Sequence, residues 1–239
     1  MIRELNHVGV FSPDIDASIT FYRDIFGGIL IRDGVSMGGK SRFVYAQVGV
    51  GVFELLKSSP DNPQTGYSHV AYLVGERGID SCYRELSEKG FDFSRVPAPA
   101  ASGLGYIAFY KDLSGSTFEL LQREEDIRKP AFQTDIVASF DGIVLNVPEE
   151  KLDEIDSHYV NAFGLERRGE KRGGIRYGIG GDHLILRAGG DVGIDSVAFT
   201  AAPGAKDALI GKGVAIAEDN GEFFVVYGPG GERLVFYYD

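Results

Sequence analysis

The sequence predicts an α+β fold made from one βαβββ unit used four times over. Three observations carry this. NHVGVFSPD near the start is echoed by SHVAYLVGE from Ser68, and VFELL from Val52 is echoed by TFELL from Thr117. The spacing repeats as well: His7 to Glu54 is 47 positions, and His69 to Glu119 is 50. Each interval has room for one amphipathic helix and two or three short strands, and a period of that size marks a supersecondary unit used more than once.

In the first unit, residues 5–11 alternate as a strand. Asp14 is placed to cap a helix that carries Ile15, Ile19, Tyr22 and Phe26 inward and stops at Gly27-Gly28. RFVYAQV and VGVFELL have the β-branched and aromatic content of strands. The second unit repeats the order: a strand over 67–74, a helix over about 77–89 closed by Gly90, then strands near 91–96, 105–111 and 116–122. YKDLSGST supplies a hairpin turn, with Asp112 and Gly115 at favoured places.

The polar stretch around Pro130 reads as a linker, placed at 126–137, so the chain divides into residues 1–125 and 138–239. Beyond it the pattern returns more faintly. FDGIVLNV matches the first strand, EEKLDEIDSHYVNAFG is a helix ending at Gly164, and DHLILRAG is a strand. DSVAFTA matches SHVAYLV, and GGERLVFYY matches GSTFELLQ. In these copies Gly142 stands for the first His, Leu184 or Ile185 for the first Glu, Ser196 for the second His and Val235 for the second Glu.

Bulk composition narrows the function. The 239 residues are 44% hydrophobic and 25% charged, which is a globular composition with no apolar run of membrane-spanning length. MIRELNHVGVF enters a strand pattern at once, leaving no room for a signal or transit peptide. A net charge of −11, with no Lys/Arg cluster or basic helix to offset it, argues against nucleic-acid binding. Cys82 is the single cysteine, so no intrachain disulfide forms; it shares a helical face with Ile79, Tyr83 and Leu86 and reads as core. These features fit a cytoplasmic protein that acts on a small molecule, without nucleic-acid or membrane partners.

Strand alternation turns Phe53 and Leu55 to one face and Glu54 to the other, and it does the same with Phe118, Leu120 and Glu119. A carboxylate inside an apolar strand is costly to bury without a partner. Either Glu alone is ordinarily a salt-bridged surface group, and either His a hydrogen-bonded structural one. Recurrence points elsewhere: two of the four histidines, His7 and His69, open the two stronger repeats. His7, Glu54, His69 and Glu119 together suit one divalent cation of the Zn, Ni, Co, Mn or Fe kind. His158 follows Glu154 by one helical turn and reads as its i,i+4 partner, while His183 heads a strand with no acidic partner in phase and reads as surface or loop.

These motifs (H-V-G-V, F-E-L-L, G-Y-S-H-V-A and D-L-S-G-S-T-F-E-L-L) resemble the vicinal oxygen chelate superfamily. That group holds glyoxalase I, methylmalonyl-CoA epimerase, extradiol dioxygenases, and fosfomycin and bleomycin resistance proteins. The resemblance covers residues 1–125 well and 138–239 weakly. It implies that the units pair into two glyoxalase/bleomycin-resistance/dioxygenase-like domains. It also implies metal ligands at His7, Glu54, His69 and Glu119, with Glu54 or Glu119 as general base of a lyase or isomerase resembling lactoylglutathione lyase. The second domain would bind no metal. A homodimer, with the paired units either within one chain or swapped between chains, is among the arrangements such a resemblance allows.

Two other activities stand beside that one. An extradiol-type dioxygenase also uses paired two-unit domains, but it needs a further active-site His; here Tyr45, Tyr106 or Tyr110 would have to substitute. A non-catalytic drug-binding protein would have lost the four donors. Glyoxalase I also places an Arg where this chain has Phe11 and an Asn matched at best by Ser58, so its glutathione-binding residues are not reproduced.

Overall fold

The computed structural model describes residues 1–37, 39, 41–58, 61 and 63–238. The first half runs β1 (Ile2–Ser12), α1 (Ile15–Thr20), β2 (Ile29–Val35), β3 (Arg42–Val48), β4 (Gly51–Lys57), β5 (Gly66–Val74), α2 (Gly78–Glu88), β6 (Asp92–Pro99), β7 (Tyr106–Lys111) and β8 (Thr117–Gln122). The second half repeats it as β9 (Val137–Val147), α3 (Leu152–His158), β10 (Glu166–Lys171), β11 (Gly174–Ile179), β12 (Asp182–Ala188), β13 (Gly193–Ala201), α4 (Ala205–Gly211), β14 (Glu218–Asp219), β15 (Phe223–Tyr227) and β16 (Arg233–Tyr237). The strands form two eight-stranded sheets, ordered β2-β3-β4-β1-β5-β8-β7-β6 and β10-β11-β12-β9-β13-β16-β15-β14. The α+β class and the four βαβββ units are therefore present. Among the described residues, no helix is long and apolar enough to cross a membrane.

In every unit the first and last strands run parallel, which is why a crossover helix lies between them. The register is the same four times. Gly9 pairs with Glu54, Ala71 with Glu119, Val144 with Ile185 and Ala198 with Val235. Each pairing joins the residue two beyond the His position to the Glu position. Of the two residues that the sequence offered for the lost Glu of the third unit, the register selects Ile185.

Asp14 caps α1, its carboxylate accepting from the Asp16 and Ala17 amides. The helix then widens to π geometry over Phe21–Ile25, and the third unit does the same over Tyr159–Phe163 before Gly164 ends it in the left-handed conformation. The sequence reading did not separate out β2, β10, β11, β14, β15 or α4. β2 and β10 are sheet edges and mostly exposed, so neither shows an apolar alternation that would reveal a strand.

Two compact units emerge from the packing. One comprises Met1–Asn6, His69–Asp126 and Ile143–Asp195; the other comprises His7–Ser68, Ile127–Gly142 and Ser196–Asp239. Each has an aromatic core. In the first, Tyr72 and Tyr110 stack on Phe118 beside Phe163 and Tyr159. In the second, Tyr22 lies on Phe53, and Phe199 and Phe224 stack on Phe236.

Each unit also contains one tyrosine from a π-turn bonded to a buried carboxyl in a hairpin turn. The Tyr159 hydroxyl donates to Asp112 Oδ2 at 2.7 Å, and the Tyr22 hydroxyl donates to Glu232 Oε1 at 2.7 Å. The two turns share a hydrogen-bond pattern: Asp112 N to Ser116 O and Gly115 N to Asp112 O, against Gly228 N to Glu232 O and Gly231 N to Gly228 O. Glu232 therefore stands at the Ser116 place and Gly228 at the Asp112 place. The carboxyl has moved four residues along, and a Cβ on Gly228 would overlap the Glu232 carboxylate.

Burial raises the pKa of both carboxyls. Each folded carboxyl thus holds its proton more tightly than the unfolded chain does, so its stabilising contribution is present at low pH and is lost as pH rises through the folded pKa. Wild type should gain stability over Glu232→Gln when pH falls from neutral toward the ordinary carboxylate range, as read from urea midpoints. Tyr22→Phe should cost about 1–3 kcal/mol by leaving the carboxyl without that donor. A Gly228→Asp change should be better tolerated with Glu232→Ser than alone.

Candidate metal centre

His7 on β1 and Glu54 on β4 come together through the parallel register just described. Their Nε2 and Oε2 atoms lie 3.4 Å apart, with His7 fully buried and Glu54 9% exposed. On β5 and β8 the same register brings His69 Nε2 to 3.0 Å from Glu119 Oε2, and both residues are buried. Each imidazole lies edge-to-face with an aromatic ring from the strand beyond its glutamate's: Tyr45 on β3 for His7 at 5.3 Å and Phe109 on β7 for His69 at 5.4 Å between centroids. All four predicted residues fall in one group, each offering one ligand atom, and those atoms lie within 4.8 Å of one another.

The donor set fits a divalent cation. Two carboxylates and two imidazoles that share one largely buried place leave a negative charge that burial alone penalises heavily. The mixed nitrogen and oxygen donors suit the borderline transition metals.

The two halves differ at one atom. Tyr45 is the cross-strand partner of Glu54, and its hydroxyl donates to Glu54 Oε1 at 2.6 Å. The cross-strand partner of Glu119 is Phe109, which has no hydroxyl. The sequence named Tyr45 only as a stand-in for a missing histidine. What would have singled it out is its place directly across the strand pair from Glu54. Tyr106 is 51% exposed and Tyr110 is buried in the aromatic core beside Phe118, so neither replaces such a histidine.

The other two histidines lie elsewhere. The His158 ring rests on Phe91, 4.3 Å between centroids, and burial pushes its pKa down. His183 is half-buried at the head of β12, the strand place expected of it. Cys82 is buried and its thiol pKa is raised by that burial, as a core cysteine's should be.

Comparison with known proteins bears on the family. The profile described as Glyoxalase/Bleomycin resistance protein/Dioxygenase superfamily matches residues 4–120. A probable lactoylglutathione lyase of Synechocystis sp. is 32% identical over 127 residues, which are 49% of this chain and 94% of that protein. The chain belongs to the glyoxalase/bleomycin resistance protein/dioxygenase superfamily. Lactoylglutathione lyase of Arabidopsis thaliana is 32% identical over 130 residues, covering 51% of this chain but only 44% of its own length. The chain thus spans about half of some relatives that it matches.

Solved structures extend the likeness to the whole fold of this superfamily member. A Mn(II)-bound glyoxalase from Novosphingobium aromaticivorans superposes with a TM-score of 0.74 at 18% identity, covering 99% of this chain and 82% of that one. Homoprotocatechuate 2,3-dioxygenase from Arthrobacter globiformis gives 0.75 at 14% identity, covering 100% and 80%. Identities this low speak to the fold alone.

After incubation with a divalent transition metal and dialysis, the protein should retain close to one equivalent by elemental analysis. His7→Ala and His69→Ala should each release most of it while the far-UV circular dichroism stays unchanged, because neither change touches the aromatic cores. Full metal retention in the double variant would remove these residues as ligands.

Proposed function

We propose that this chain is a divalent-metal-dependent lyase or isomerase of the glyoxalase and epimerase kind, acting on a small substrate with two neighbouring oxygens. The observation that carries the reading is the four-donor group, in which each carboxylate lies against an imidazole and Tyr45 also donates to Glu54. Such a reaction removes a proton from one carbon and returns it to the next, so it needs a carboxylate that serves as base as well as donors for the metal. His7, His69 and Glu54 are the fixed donors, with Tyr45 holding Glu54 in place. Glu119 is the base. When bound, a divalent cation supplies Lewis-acid stabilisation of the negative charge that develops on substrate oxygen.

The lactoylglutathione lyase relatives and the Mn(II)-bound glyoxalase neighbour support this reading, and the neighbour's metal is among the five that the donors suit. Glutathione is a less natural co-substrate. Phe11 offers no cation for its carboxylate, and the Ser58 hydroxyl is engaged with the Gln64 carbonyl.

Assays on 2-oxoaldehydes and on glutathione-free 2-oxo and 2-hydroxy compounds, each with and without glutathione, test the proposal. Turnover should not require glutathione and should consume no oxygen. Glu119→Gln should keep its metal yet lose roughly two to four orders of magnitude in kcat, as removal of a general base does. Tyr45→Phe should act mainly by weakening metal retention. Oxygen uptake with a catechol, unaffected by Glu119→Gln, would replace this reading with ring cleavage.

A further inference from the structure

The last three strands of the third unit carry a positive surplus. Residues 165–188 hold six Arg and Lys against three Asp and Glu, in a protein of net charge −11. Along the sequence they are dispersed among acids and glycines, and no basic cluster is evident. Strand pairing gathers them.

Ile185 pairs with Arg176, and His183 pairs with Gly178, which in turn pairs with Glu166. Directly opposed residues share a sheet face, and so do residues two apart on one strand. Arg168, Arg176, His183 and Arg187 therefore stand on the face that carries Ile185, as does Glu166, whose Oε2 accepts from Arg168 Nε at 3.4 Å. Arg167, one residue out of phase, turns the other way and donates to Asp156 Oδ1 at 2.7 Å. The Arg168 side chain lies over Gly178, where a Cβ would overlap it, and this sets it beside His183. Arg176 donates from Nε and Nη2 to the Arg168 carbonyl at 3.2 and 2.9 Å, which fixes its guanidinium against the neighbouring strand. The pKa of His183 is lowered, by burial first and then by Arg176, Arg168 and Lys171. Arg187 is held more closely than Arg168, by Asn146 and Asp195 at 2.9 Å each.

Ile185 corresponds by register to Glu54, and Arg176 to Tyr45. Where the first unit sets a carboxylate and a hydroxyl, the third sets an aliphatic side chain and a fixed cation. We infer that this face of the third unit is a binding site for a small oxyanion, a phosphate or a carboxylate, with Arg176 as the principal donor, Arg168 shared between the anion and Glu166, and His183 beside them. A guanidinium offers five N–H donors in a planar fork that matches either group, and Arg176 spends two of its own on the Arg168 carbonyl. Arg176 and His183 are half-buried, so a group of a few atoms reaches them more readily than a folded surface does. The inference does not rest on the metal reading.

Calorimetric titration of the metal-loaded protein with inorganic phosphate, and separately with succinate, tests it against sodium chloride at equal ionic strength. Saturable binding of either is expected, and the tighter one identifies the group. Arg176→Gln or Arg168→Gln should weaken it by roughly tenfold or more, the loss of a charge-assisted pair. Arg84→Gln, an exposed change on α2, and His7→Ala should leave it unchanged. Should Arg176→Gln fail to fold, the exposed Arg168→Gln still decides. The inference falls if no saturable binding occurs, if all variants bind alike, or if His7→Ala abolishes binding. It falls equally if the arginine changes alter the sedimentation of the protein instead, which would make this face a protein interface.

Discussion

Parallel return of the last strand to the first is the constraint on which this architecture depends. A chain that leaves β1, crosses over through a helix and comes back parallel has few registers that keep its apolar residues on the helix side. The one adopted here turns Phe53 and Leu55 inward and sets Glu54 across from Gly9, two residues past His7. The grouping of the four candidate donors is thus a by-product of packing: the apolar neighbours of each glutamate fix where its carboxylate goes. Repetition of the unit supplies the second histidine and the second glutamate.

The same register without the donors shows how separable the two layers are. Gly142, Ile185, Ser196 and Val235 occupy the four places in the second sheet, and Ile185, Ser196 and Val235 are buried there at 0–2% exposure. An aliphatic side chain at a glutamate place removes a desolvation cost and adds packing, so losing a metal need not cost stability. What such a unit gains is freedom to place other chemistry on the same face, as the arginines of β10 and β11 do.

The sequence made the strong parts legible for physical reasons. His–Glu spacing and the F-E-L-L alternation survive in a linear reading because they lie within single strands and recur. Asp14, Gly90 and Gly164 were readable because caps and helix ends need particular residue types. Edge strands such as β2 and β10 were not, since exposed strands bury too little to show alternation. The Tyr45 bond to Glu54 needs the cross-strand register, which no single strand contains. Tyr22 meeting Glu232 joins residues 210 positions apart, and Tyr22 alone reads as one more core aromatic.

The displaced carboxyl in the Gly228–Glu232 turn has a historical consequence. If the two turns descend from one, the route from an Asp112-like arrangement to a Glu232-like one takes two substitutions, and neither is comfortable first. Gaining the glutamate first crowds two acids into one dry space; losing the aspartate first strands the tyrosine hydroxyl beside a void. The two positions should therefore vary together among descendants of this chain, so that a tally of either column alone would understate how strongly the turn is constrained.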